Sequence, residues 1–176
     1  MSDDAGARPD AAVVARAVGV LRAGGVIALP TETVYGLAAD VANEAAIARV
    51  YAIKGRPAGH PLIAHAPDVD ALAGYVAEIA PELRALAARF WPGPLTAIVA
   101  RGPRTPRTVT GGQDTVAVRV PDHPLALAIL RAFGGALAAP SANRFGRVSP
   151  TSAEHVRADL GDTVDLIVDG GPARVG

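Results

Sequence analysis

"YAIKGRPAGHPLIAH", residues 51–65, passes from a helix through a short loop into a buried strand. Ile47, Val50 and Tyr51 recur at helical spacing and Asn43 suits an N-cap, so a helix is predicted over 44–54. Gly55 stands just past its end. "PLIAH", 61–65, is a short apolar run of strand length. Helix, loop and buried strand in succession are the building unit of a sheet covered by helices.

The alternation extends in both directions. Upstream, Asp10 caps a predicted helix over about 11–23, with Val14, Val18 and Leu21 on one face and Gly24-Gly25 ending it; "VIALP", 26–30, reads as a strand stopped by proline. Downstream, helices are predicted at about 68–76, 81–90 and 123–133. "PLTAIVA" (94–100) and "TVAVRV" (115–120) read as strands around a Pro/Gly/Arg-rich loop. "ALAAP" (136–140) and "DLIVDGG" (165–171) read as further strands. Thr151 and Glu154 form a capping-box pattern for a helix ending at Gly161. The reading is an α/β fold with no repeat and no internal domain boundary.

Composition narrows the function class. The chain has 176 residues, 50% hydrophobic and 19% charged, enough for one full core and too apolar for a disordered segment. It has no cysteine, which excludes disulfides, thiolate metal sites and a cysteine nucleophile, and fits a reducing compartment. The acidic, polar start "MSDDAGARPD" is no signal peptide, and no apolar run reaches the ~18 residues of a membrane span. A soluble, cytoplasmic protein with no membrane partner is expected. The net charge is zero, yet residues 84–147 hold nine arginines against Asp114 and Asp122. That asymmetry suggests an anionic partner for the middle segment, or simply charges that mix on the folded surface.

Sixteen of the seventeen basic residues are arginine; the exception is Lys54. It sits in one of four loops leaving predicted strand ends, where open α/β sheets bind ligands. These are "PTETVYG" (30–36), the Lys54–His65 stretch, "GGQDT" leading to Arg119, and "PSANRFGRVSP" (140–150). Lys54 and Arg56 bring positive charge. Thr31, Thr33, Thr115, Ser141, Asn143 and Ser149 bring short hydrogen-bonding groups, and glycines permit close backbone approach. Such an inventory suits phosphates and a small polar ligand. Neither a G-x-S-x-G elbow nor a P-loop is present, and His60 and His65 lack partners at metal-ligand spacing, so no metal site is expected. Singly, each residue has a plainer reading: Lys54 as a charge at a helix C-terminus, His60 and His65 as a surface and a core histidine, Ser141–Asn143 as a turn.

Together, "LPTETVYGLAADV", "KGRPAGHPLIAH", "WPGPLT", "DTVAVRVPDHP" and "PSANRFGRVSPT", in this order, closely resemble the YrdC-like family, the threonylcarbamoyl-AMP synthases. The resemblance runs from about residue 12 to the end, leaving 1–11 as a flexible tail before a YrdC-like domain over 12–176. It implies a single-domain, twisted, open mixed sheet (α+β type) flanked by helices around a concave basic cavity. It also implies an activity: L-threonine, bicarbonate and ATP, with Mg²⁺ carried on the nucleotide, give threonylcarbamoyl-adenylate and pyrophosphate. Other proteins then transfer the threonylcarbamoyl group to an adenosine next to the tRNA anticodon. The family's lysine-x-arginine and serine-x-asparagine pairs stand here as Lys54/Arg56 and Ser141/Asn143, the expected catalytic set. Thr33, His65, Arg119 and the main chain at Ala139 match the threonine contacts. Arg56, His60, Thr115, Ser141 and Ser149 match the ATP contacts. His60 departs from the asparagine often found there. Lys54 is expected to face solvent at its helix end, and Ser141 and Asn143 to donate to phosphate oxygens.

Family members continue beyond "VDGGPARVG" with a Gly-Val-Glu-Ser-Thr stretch, a strand and an arginine-containing loop. A domain lacking that segment, and binding its substrates more weakly for it, is expected. Two other functions compete. One is the carbamoyl-adenylate module of hydrogenase-maturation carbamoyltransferases. The other is an RNA-binding or ribosome-associated YrdC-like protein without turnover, for which Arg101, Arg104, Arg107, Arg144 and Arg147 would contact tRNA or double-stranded RNA. A catalytically silent paralogue is a third possibility.

Overall fold

The computed structural model describes residues 9–176. The tail expected over 1–11 lies outside the described residues up to position 8. Its last residue, Ala11, already opens the first helix, α1 (Ala11–Arg22), whose cap Asp10 accepts from the Ala12 amide at 2.8 Å. Then follow β1 (Ile27–Leu29), β2 (Gly36–Asp40), α2 (Glu44–Lys54), β3 (Ile63–His65), α3 (Pro81–Phe90), β4 (Ala97–Ala100), β5 (Thr115–Arg119), α4 (Pro124–Phe133), β6 (Leu137–Ala138), α5 (Ala153–Leu160) and β7 (Leu166–Ile167).

The seven strands form one mixed sheet in the order β4-β5-β3-β6-β2-β1-β7. β3 and β5 run parallel, as do β1 and β7; the other neighbours are antiparallel. Side chains alternate across the sheet and fill two cores. Ile27, Leu29, Ala38 and Leu137 pack with α1 and α4, whereas Ala28, Leu37, Ala39 and Ala138 pack with α2 and α5. Helices therefore cover both faces. Strand ends converge where β3, β5 and β6 meet, and that junction places the site.

Three expectations need correction. Residues 36–40 form a central strand that the periodicity does not announce. "GLAAD" has no β-branched residue, and its small side chains suit a strand buried on both faces. The helix expected over 68–76 is only a 3₁₀ turn at Asp70–Leu72, where the Asp68 carboxylate accepts from the Ala71 amide. Gly74 then turns the chain with φ +82°, and Val76 bridges to Arg101. Finally, α5 is capped by Ser152, which accepts from the His155 amide, and not by Thr151.

Candidate active site

A cavity of about 280 Å³ lies along β3 and is lined by Thr31, Arg56, His65, Arg119, Ala139 and Ser141 among others. Its length follows from strand register. His65 and Arg119 are Cα partners at the C-terminal ends of parallel β3 and β5, while Pro61 leads into β3 and Arg56, in the loop after α2, reaches back to it. The Ala139 amide donates to Ile63 O at 2.9 Å, and Gly36 bridges Ser141, so β6 and β2 form the other wall. That wall is tight: a Cβ on Gly36 would lie 3.1 Å from Ala139 Cβ.

At the His65 end, Arg119 is buried and held at three points. Its Nε donates to Gly93 O at 3.2 Å; its Nη2 donates to Glu32 Oε1 at 2.6 Å and to Thr33 Oγ1 at 3.0 Å. Glu32 is the only carboxylate among the buried polar side chains described, and sequence reasoning missed it. Its place between two threonines in a strand-end loop was the available signal. The Thr31 hydroxyl donates to Val34 O and accepts from the Thr33 and Val34 amides, fixing this loop's turn. His65 shares Nδ1 with Ile63 O at 3.1 Å. Burial, reinforced by the Arg119 charge, lowers its pKa to about 4. It is therefore a neutral imidazole near pH 7, with Nδ1–H donated to the carbonyl and the Nε2 lone pair left as an acceptor.

At the other end, Lys54 does not face solvent. It is buried, and its ammonium donates to Ser141 O and to Asn143 O, the latter at 2.7 Å. The Phe145 amide donates back to Lys54 O at 2.7 Å. The lysine thus clasps the 141–145 loop against the end of α2, where Gly55 turns the chain with φ +60°. Burial, and next the neighbouring Arg56, depress its pKa to about 8. Asn143 does not offer its amide to a ligand either, because Nδ2 donates to Arg144 O and Arg147 O, each at 2.8 Å. Its buried Oδ1 has no partner among the described residues. Ser141 lines the cavity. Arg56 donates through Nη2 to Pro61 O, and its buried Nε is also without a partner among the described residues.

The remaining predicted residues lie off this cavity's lining. His60 is exposed, edge-on to Phe145 with ring centroids 5.3 Å apart. Thr115 is exposed at the start of β5. Ser149 lines a second cavity of about 400 Å³ beside the same loop, together with Asn143, Arg147, His155 and Asp159. The five arginines of the RNA reading are engaged locally. Arg101 donates to Thr105 O, Arg104 stacks over Tyr75, Arg107 pairs with Asp114, Arg144 donates to Asp159 O, and Arg147 pairs with the Asp159 carboxylate. No cluster of three His, Asp or Glu side chains placed to hold a metal ion occurs among the described residues. None of the described helices is long and apolar enough to cross a membrane.

The sequence profile of the Sua5/YciO/YrdC family, described as "Telomere recombination", matches residues 19–176. The chain belongs to this family. It is 48% identical over 160 residues to the threonylcarbamoyl-AMP synthase of Pyrococcus abyssi, covering 91% of this chain and 47% of that protein. It is likewise 48% identical over 165 residues to the Bacillus subtilis protein of the same name, covering 93% and 47%. The chain thus spans about half the length of these two relatives. The crystal structure of P. abyssi Sua5 complexed with L-threonine superposes with a TM-score of 0.90 at 47% identity, covering 93% of this chain and 48% of that one. A Sua5/YrdC fold therefore carries the cavity along β3.

Proposed function

We propose that this chain makes threonylcarbamoyl-AMP from L-threonine, bicarbonate and ATP, releasing pyrophosphate. The observation that carries the reading is a cavity with two chemically distinct ends. One end holds Arg119 beside a neutral histidine, fit for an amino acid; the other holds Arg56 with Ser141, fit for phosphate oxygens. Relatives named for this activity, one of them with L-threonine bound in its structure, support it.

The threonine carboxylate would meet Arg119, and Thr33, His65 and the Ala139 main chain would complete its pocket. The amine attacks CO₂ drawn from bicarbonate and loses a proton, giving a carbamate. A carbamate oxygen then forms a bond to the α-phosphorus of ATP while the bond to the β-phosphate oxygen breaks, and pyrophosphate leaves. No covalent enzyme intermediate is needed, so catalysis is positioning plus charge stabilisation. Arg56 binds phosphate oxygens through its guanidinium, and Ser141 donates its hydroxyl. Lys54 and Asn143 shape the loop that carries Ser141. A Mg²⁺ ion brought on the phosphates would neutralise their charge, and the oxygens Asn143 Oδ1 and Ser141 Oγ are of the type it accepts. His60, Thr115 and Ser149 would reach the outer parts of ATP. The product would pass in the cytoplasm to proteins that modify the tRNA adenosine beside the anticodon.

The RNA-binding alternative draws less support, since its five arginines are spent on carbonyls, carboxylates and an aromatic ring. Labelled bicarbonate tests the main reading. Label should enter an AMP-containing product only when threonine and ATP are both present. Absence of that product would refute it.

A further inference from the structure

Glu32 and Arg119 form the one buried ion pair among the described residues, at 2.6 Å. A buried pair is a poor device for stability alone, because desolvation offsets most of its attraction. Its geometry suggests another role. Glu32 uses its two oxygens separately: Oε1 accepts from Arg119 Nη2, and Oε2 accepts from the Asp122 amide at 3.0 Å. It thereby ties the β1–β2 loop to the turn that follows β5. With Nε on Gly93 O, and Nη2 shared between Glu32 and Thr33, the guanidinium plane has little freedom. Only Nη1 lacks a partner among the described residues, on a side chain that lines the cavity. Arg56, by contrast, has no carboxylate partner among the described residues, so the two arginines differ in charge balance.

We propose that Glu32 is a positioning residue for the substrate carboxylate, acting through Arg119. This deepens the assignment of threonine to this cavity and rests on it. Glu32 holds the guanidinium so that Nη1 meets a carboxylate in one orientation.

The test is threonine, threoninamide and ATP binding, measured by calorimetry on wild type and Glu32→Gln. Glutamine keeps one acceptor for Arg119, but it has no charge and offers an amide where Asp122 N–H needs an oxygen. Threonine should bind about 10–100-fold more weakly, as expected when a charged contact is misplaced. ATP binding should stay within about twofold, and threoninamide, which lacks the carboxylate, should bind both proteins alike. Equal weakening of threonine and ATP, or unchanged or tighter threonine binding, would overturn the proposal. A wild type that ignores threonine would instead sink the functional reading beneath it. If Glu32→Gln does not melt cooperatively, Glu32→Asp carries the test. It keeps the charge but loses one methylene of reach, and should show the same threonine-specific loss to a smaller degree.

Discussion

The ammonium of Lys54 lies 2.7 Å from the carbonyl oxygen of Asn143, joining the end of α2 to a loop 89 residues away. A second bond from the same ammonium reaches Ser141 O. The only lysine of the chain is therefore a clasp beside the Arg56–Ser141 end of the cavity. An ammonium suits this position because it is compact, and its three donors can satisfy two carbonyls and keep one for a ligand.

Lys54→Met should accordingly lose both activity and stability. Two inward carbonyls would lose their donor, at about 1–3 kcal/mol each, and turnover should fall by ~10²–10³-fold or more. Thermal melting and pyrophosphate release measure the two effects. Lys54→Arg should also be poor, because a planar fork does not fit between the two carbonyls. A variant with normal melting and normal turnover would contradict the clasp.

Lys54 should also set an alkaline limit. With its pKa near 8, the ammonium is lost well below the ordinary lysine range, so activity should decline as pH rises through about 8. The stability effect has the opposite sign. From about pH 8 to the ordinary value of 10.5, the unfolded chain binds the proton that the folded one has released. The cost of burying the charge is thus present below pH 8 and relieved above it. Activity that keeps rising to about pH 10 would argue against a charged Lys54 in turnover.

His65 should make the protein sensitive to acid. Its pKa is lowered from 6.5 to about 4, so between those values the unfolded state holds the extra proton. Stability should fall on acidification from pH 6.5 toward 4, by up to about 1.4 kcal/mol per pH unit. His65→Asn, which keeps a donor for Ile63 O, should remove that slope in denaturant titrations. An unchanged slope would place the acid sensitivity elsewhere.

Gly111 adopts φ +61°, and a Cβ there would lie 2.5 Å from Gly59 O. Gly111→Ala should therefore push the loop carrying His60 outward. The expected result is a higher KM for ATP with little change for threonine, and a stability loss of about 1–3 kcal/mol from strain. A larger effect on threonine than on ATP would contradict the assignment of the two ends.

Much of the fold was legible because its helices announce themselves. Asp10 and Asn43 cap where expected, and Gly55 and Gly134 close their helices in the left-handed region. β2 was not legible, since alanine and glycine carry no strand signature and gain their place only from neighbours on both faces. At the site, Arg56, His65, Arg119, Ala139 and Ser141 line one cavity, all on strand ends or the loops beside them. Lys54, Asn143 and Glu32 were misread or missed for one reason: their partners are main-chain groups or residues far away in sequence. Which atoms of a lysine, amide or carboxylate remain for a ligand depends on those partners, and local spacing does not encode them.

Pyrophosphate release from ATP in bicarbonate buffer, with and without L-threonine, tests the proposed reaction at its root, using the 176-residue chain. Release should depend on threonine and bicarbonate and be lost in Arg56→Ala. With serine it should be weaker by the ~1–3 kcal/mol that one methyl contributes in an apolar pocket. Release that ignores threonine, or none while the folded protein still binds ATP, would contradict the assignment.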